Sequence, residues 1–248
     1  MRKTVVLLGL LLLFTPALWA KDFADDFAFL SPLPSYQAFL DAAKHDGDAR
    51  KAKAMQERFT SLDLSDEQAS VLFIRSSVIL ARLYAEQKDA NKEQALSLLA
   101  EAEKELSNLD ENGFYHVMLS GEIDGIHYLV NPRNLSKGIR SSAAIKEAYK
   151  AFPDQIAAVL AKANSLVYAP AFAGGDVDKA LSLYLLLLEE AGSQLSTWDR
   201  ASIYSGIGVV AMKRKEWETA KQYFLAAKAL YSFDPAIDGY LSEVEEKL

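Results

Sequence analysis

Apolar residues return every three or four positions from Ser35 to the C-terminus, and no stretch alternates apolar with polar residues as a strand would. Alanine, leucine, lysine and glutamate prevail, so this period predicts an all-α chain. The predicted helices fall at about 35–45, 48–61, 66–87, 91–109, 113–130, 135–151, 153–168, 176–191, 197–214, 216–231 and 235–247. Breaks between them carry turn residues: Asp46-Gly47, Asn112-Gly113, Asn131-Pro132, Pro153, Gly174-Gly175-Asp176 and Asp234-Pro235. Ser65 with Gln68 three residues on predicts a capping box, and Asp176 and Asp234 predict side-chain caps. Ahead of the helices, residues 21–34 hold Pro32 and Pro34 and read as an extended lead-in.

Within the pair 197–214 and 216–231, small residues face each other. Gly208 on the first helix and Ala220 on the second let the axes approach, while Tyr204 and Phe224 fill the gaps beside them. Glycine inside a helix costs about 1 kcal/mol relative to alanine, so Gly206 and Gly208 call for a packing reason. The offsets of Tyr204, Ile207, Gly208, Ala211, Ala220, Phe224 and Ala227 resemble those of the tetratricopeptide-repeat family.

Upstream the resemblance decays. Ser77, Leu80, Ala81 and Tyr84, then Ala95, Leu99 and Ala102, keep the offsets; before Pro153 only Ser141, Ile145 and Ala148 do, and beyond it Ala180 and Tyr184. The equivalent positions Ala95, Ser141, Ala180 and Ala220 lie 46, 39 and 40 residues apart, longer than the family's period of about 34. The turn Gly174-Gly175-Asp176 is similar to one in exported bacterial members. Over residues 66–232 the resemblance implies an α-solenoid of antiparallel helix hairpins, the domain as a whole taking in 35–248. Residues 235–248 then form a capping helix whose Glu243, Glu245, Glu246 and Lys247 cover the open end of the stack.

Residues 1–20 change the picture. Arg2 and Lys3 precede an apolar run over 5–14, then Pro16 and a small residue at Ala20, which is the layout of a secretory signal. The run is about half the roughly twenty residues that span a bilayer. The expectation is an exported, periplasmic protein, with a signal-anchored inner-membrane form or a secreted form as alternatives. Absence of cysteine excludes disulfides, thiolate metal sites and a cysteine nucleophile. Losing Arg2 and Lys3 makes the chain two units more negative than its formal −7, and its basic residues are scattered among carboxylates. Nucleic acid and anionic membrane surfaces are therefore not expected partners.

Only three histidines offer chemistry. His116 and His127 share a helix eleven residues apart, about 16 Å along the axis, too far to share a metal ion. Between them Ser120 and Asp124 complete a polar stripe on an otherwise apolar helix. Asp124 stands between Ser120 and His127, the wrong order for a triad. The stripe is a solvent face, part of a groove that binds a ligand, or a packed face with buried hydrogen bonds to polar partners on a neighbouring helix. Arg133, Lys137 and Arg140 form a local basic patch beside it, solvated, paired with neighbouring carboxylates, or contacting an acidic partner. Gly121 and Gly125, four apart, suit a close helix crossing. Gly174-Gly175-Asp176 lacks the lysine and hydroxyl residue of a phosphate loop.

These readings give no catalytic residue, no metal and no cofactor. They lead to a scaffold or adaptor that binds a peptide or another exported or envelope protein in the groove of the stack, through His116, Ser120, Asp124, His127 and Arg133. The alternative is a small-molecule or solute-binding component serving an envelope transporter. A bounded pocket favours the second and a long open groove the first.

Overall fold

Side chains close the exposed amides where several of the helices begin. Asp48 accepts from the amides of Arg50 and Lys51, Asn91 from Gln94, Asp176 from Lys179, and Asp234 from Ala236 and Ile237. Ser65 with Gln68 and Ser196 with Asp199 form reciprocal capping boxes. The computed structural model describes residues 22–87 and 89–248, and the expected signal segment 1–20 lies outside the described residues.

Eleven α-helices are found among the described residues: α1 (Pro34–Lys44), α2 (Ala49–Gln56), α3 (Asp66–Glu86), α4 (Lys92–Leu106), α5 (Phe114–Val130), α6 (Leu135–Ala151), α7 (Ile156–Tyr168), α8 (Val177–Leu186), α9 (Thr197–Lys213), α10 (Trp217–Leu230) and α11 (Pro235–Glu245). No strand is present among the described residues, and no helix there is long and apolar enough to cross a membrane.

Three expectations need correction. The helix expected over 48–61 ends at Gln56 and runs on as a 3-10 turn through Ser61. The helix expected over 153–168 starts only at Ile156, because Asp154 and Ile156 give their backbone carbonyl and amide to Ala24, at 3.0 Å each. In the helix expected over 176–191 the last turn, Leu187–Ala191, widens to π geometry before Gly192 turns the chain at φ +45°.

Consecutive helices pack as pairs: α1 on α2, α3 on α4, α5 on α6, α7 on α8 and α9 on α10, with α11 lying on α10. Odd-numbered helices also touch within each half, α1 with α3, α3 with α5, α7 with α9 and α9 with α11, whereas α5 and α7 are joined at most weakly. Small residues set the pair spacing. A Cβ on Gly121 would lie 3.2 Å from Ala144 Cβ, and one on Gly208 would lie 2.5 Å from the Phe224 ring. Gly206 likewise leaves the space that the Tyr184 ring fills. Ile207, Gly208, Ala211, Ala220, Phe224 and Ala227 are buried and Tyr204 is half-buried, its ring 6.1 Å from that of Tyr223.

Two hydrophobic clusters result, one built on α1 to α5 and the other on α7 to α11. The lead-in joins them. Phe23 is buried in the second cluster and Phe27 in the first, so residues 22–27 strap one half to the other before a 3-10 turn at Ala28–Leu30.

The segment after α1 also meets the segment before α11. The Phe233 amide donates to the Lys44 carbonyl at 2.8 Å, and the ring of Phe233 lies over Gly47, which has φ +63°. His45 stacks near Tyr231, with ring centroids 5.3 Å apart, and its backbone carbonyl accepts from the Ser232 hydroxyl. Lys44 reaches Asp234 at 3.6 Å. The start of α11 is thus seated on the end of α1.

Candidate functional site

Closure of the ends encloses a cleft of about 660 Å³. Four odd-numbered helices supply its walls with the same spacing of one helical face. These are Arg75, Val78, Ile79 and Arg82 on α3; Met118, Gly121, Glu122 and Gly125 on α5; Ala161, Asn164, Ser165 and Tyr168 on α7; and Trp198, Ala201, Ser202 and Ser205 on α9. Ile126 and Tyr128 further along α5, Ser141 and Ile145 of α6, Ile237 and Tyr240 of α11, Tyr231 after α10 and Lys44 at the end of α1 also line it. The walls are mostly apolar and aromatic, with a few polar groups converging.

Arg75 is buried at one wall. Its Nη1 meets Glu122 Oε1 at 2.5 Å, and its guanidinium lies 4.3 Å over the Phe27 ring and 5.8 Å from the Trp198 ring. Burial alone would lower its pKa, but Glu122, Tyr36 and Asp199 more than offset that, so the charge is kept. Behind Arg75, Trp198 and Tyr231 lies a second, smaller pocket of about 310 Å³, where Asp25 and Asp199 sit near one another.

At the far wall, Tyr184 donates to Asn164 Oδ1 at 2.7 Å and Asn164 Nδ2 donates to Ser202 Oγ at 3.2 Å. This orients the Asn164 amide beside the cleft. Tyr168 is 49% accessible within the cleft, yet the surrounding protein pushes its phenol up to about 12, so it is a neutral donor at pH 7.

The remaining ions sit at the α1–α11 end. Arg82 Nε meets Glu86 Oε1 at 2.9 Å, and Lys44 lies between Asp234 and the Trp198 ring, 5.6 Å from its centroid. Burial lowers the Lys44 pKa, against the pull of Asp234.

The sequence-derived residues lie on other faces of α5. Asp124 holds Arg140 at 2.9 Å and Lys137 at 2.7 Å, and Lys137 also reaches Glu103 of α4 at 2.5 Å. Partial burial works to raise the Asp124 pKa, but hydrogen bonds from Arg140 and Lys137 outweigh it and hold the carboxyl below its usual range. His127 Nε2 lies 3.2 Å from Glu103 Oε1, off the line of a good hydrogen bond. Burial and then Lys137 lower its pKa, so it is neutral at pH 7. Ser120 donates to the Val117 carbonyl of its own helix, His116 is half-buried, and Arg133 is exposed in the α5–α6 turn. Asp124 thus joins an ion network with Glu103, Lys137 and Arg140 across α4, α5 and α6, and neutral His127 lies beside it. None of His116, Ser120, Asp124, His127 and Arg133 lines the cleft.

The cleft residues were present in the sequence as a second stripe on each odd helix. Arg75, Val78, Ile79 and Arg82 mix charge with aliphatic bulk, a pattern that reads equally as core edge or solvent face. Comparison with protein-family models, with characterised proteins and with solved structures finds no significant match to this chain.

Proposed function

We propose that this protein is a non-catalytic binding protein that takes up one ligand with an apolar body in the central cleft. The observation that carries the reading is the cleft's boundary. Contacts from Lys44, His45 and Gly47 to Ser232, Phe233 and Asp234 close the side where an open groove would continue. A volume of about 660 Å³ suits a small molecule. The aromatic lining, Tyr128, Tyr168, Trp198, Tyr231 and Tyr240, offers broad apolar contact with polar tips. In this reading the helix pairs are degenerate tetratricopeptide-like repeats stacked around the cleft. The odd-to-odd helix contacts and the Gly208–Phe224 fit support that. Residues 1–20 add the expectation of an exported, periplasmic setting, where a solute-binding component would work.

A partner protein docking over the mouth is the second reading. It draws on Leu135 and Ile139, 62% and 69% exposed on the part of α6 that flanks Tyr128.

Titration with the neutral dye N-phenyl-1-naphthylamine separates the two. The expected result is saturable binding at one dye per chain, abolished by Ala201→Phe, which fills the cleft, with helical content and melting temperature unchanged. Saturable dye binding that survives Ala201→Phe removes the cleft reading and leaves the mouth.

A further inference from the structure

Hydrogen-bond donors that have no acceptor to spare collect at one end of the cleft. Arg82 lines the cleft with a side chain 44% accessible, and Glu86 takes up only its Nε, which leaves the paired Nη groups of its fork without a protein acceptor among the described residues. Lys44, Tyr168, Tyr240 and Asp234 are its electrostatic neighbours, and Ser205 stands beside Tyr168. The two carboxylates there are already engaged. Asp234 Oδ1 accepts from the amides of Ala236 and Ile237 while Oδ2 faces Lys44, and Glu86 Oε1 accepts from Arg82. What remains at this end is a guanidinium fork, an ammonium and phenol hydroxyls. Elsewhere the lining is mainly apolar, Val78, Ile79, Met118, Ile126, Ile145 and Ile237, with the Arg75–Glu122 pair and the Asn164–Ser202 pair already bonded to protein partners.

Three ligand types can be weighed against that layout. A cation would meet Arg82 and Lys44 with no uncommitted carboxylate. A wholly apolar molecule would strip water from the Arg82 fork and return nothing for it. An anion on an apolar body satisfies both regions, and a planar carboxylate or a sulfonate matches the fork's spacing of parallel N–H groups. Resting on the reading that the cleft is a ligand site, we infer that its ligand is an apolar anion, a carboxylate or sulfonate head on a hydrocarbon or aromatic body, with the head held by Arg82 and supported by Lys44 and Tyr168. The apolar body then lies along α3, α5 and α11.

Two dyes that differ by one sulfonate test this. The anionic probe is 8-anilinonaphthalene-1-sulfonate and the neutral one N-phenyl-1-naphthylamine, each titrated into the full chain at fixed ionic strength. The anionic dye is expected to bind at least tenfold more tightly than the neutral one. Arg82→Gln should weaken the anionic dye about tenfold and change the neutral one less than twofold. Glu86→Gln removes the carboxylate that competes for Arg82 and should tighten the anionic dye severalfold. Equal affinities for the two dyes, or parallel losses in Arg82→Gln, overturn the anion assignment while leaving the cleft as a ligand site. Failure of both dyes to bind overturns the cleft reading and this inference together.

Discussion

Two glycines show how much a missing methyl group decides. Gly208 and Gly206 lie in the middle of α9, where helix propensity opposes them, and each gives its Cβ position to an aromatic ring, Phe224 and Tyr184 respectively. Gly208→Ala is expected to cost about 1–3 kcal/mol, the range for overpacking a filled core, with the loss read from urea unfolding. Gly239 of α11 has open space around its Cβ position, so Gly239→Ala should instead gain about 0.5–1 kcal/mol. The Gly208 contact was legible, because small and large residues at fixed offsets in neighbouring helices have one good way to meet. Tyr184 as the partner of Gly206 was not, since α8 and α9 are separated by an irregular π turn. The Arg75–Glu122 pair was equally hidden. An arginine after Val71-Leu72-Phe73-Ile74 has no local sign that its partner lies 47 residues away.

Among the elements, the strap at residues 22–27 does most that the sequence left unsaid. Its two prolines downstream implied extension, but only the fold sets Ala24 beside Gln155 and Asp25 beside Asp199. Burial, then the Asp199 carboxylate, raise the Asp25 pKa to about 6, against the Phe27 amide and Arg75, which lower it. Below an unfolded value near 4 both states are protonated and Asp25 costs nothing. As pH rises from about 4 to 6 the unfolded chain loses its proton first, and the folded state is penalised in full above 6. Asp25 is partly solvated, so the penalty is discounted to the order of 1 kcal/mol. Asp25→Asn keeps an oxygen for the Phe27 amide and removes the charge. It should raise the melting temperature by about 2–4 °C at pH 7.5 and leave it unchanged at pH 4. An equal shift at both values would assign the effect to something other than ionisation.

For the whole molecule, helices and their pairing follow from periodicity and caps, and most of the predicted elements fall within a few residues of those observed. The cleft does not follow, because its walls come from helices far apart in the sequence and its end from the contact of residues 44–47 with residues 231–234. The polar stripe on α5 drew attention as the odd feature of an apolar helix, yet its charges find partners on α4 and α6. The face carrying Glu122 does the lining instead. Closure can be tested at Phe233. Phe233→Ala removes the ring over Gly47 and is expected to destabilise the chain by about 1–3 kcal/mol. Because Lys44 and Asp234 are then less firmly apposed, dye affinity in the cleft should fall while helical content stays constant. Unchanged affinity would mean that the seam is not what shapes the cavity.

The seam between α1 and α11 also bears on timing. The cleft walls come from helices far apart in the sequence, α3 and α5 on one side and α11 on the other. Asp234, Ile237 and Tyr240 come at the end, so the cavity has no far side until the last helix docks. On the proposed reading, a chain in which α11 has not docked lacks Ile237 and Tyr240 from the cleft wall, so holding a ligand requires α3 and α11, far apart in the sequence, to have come together first.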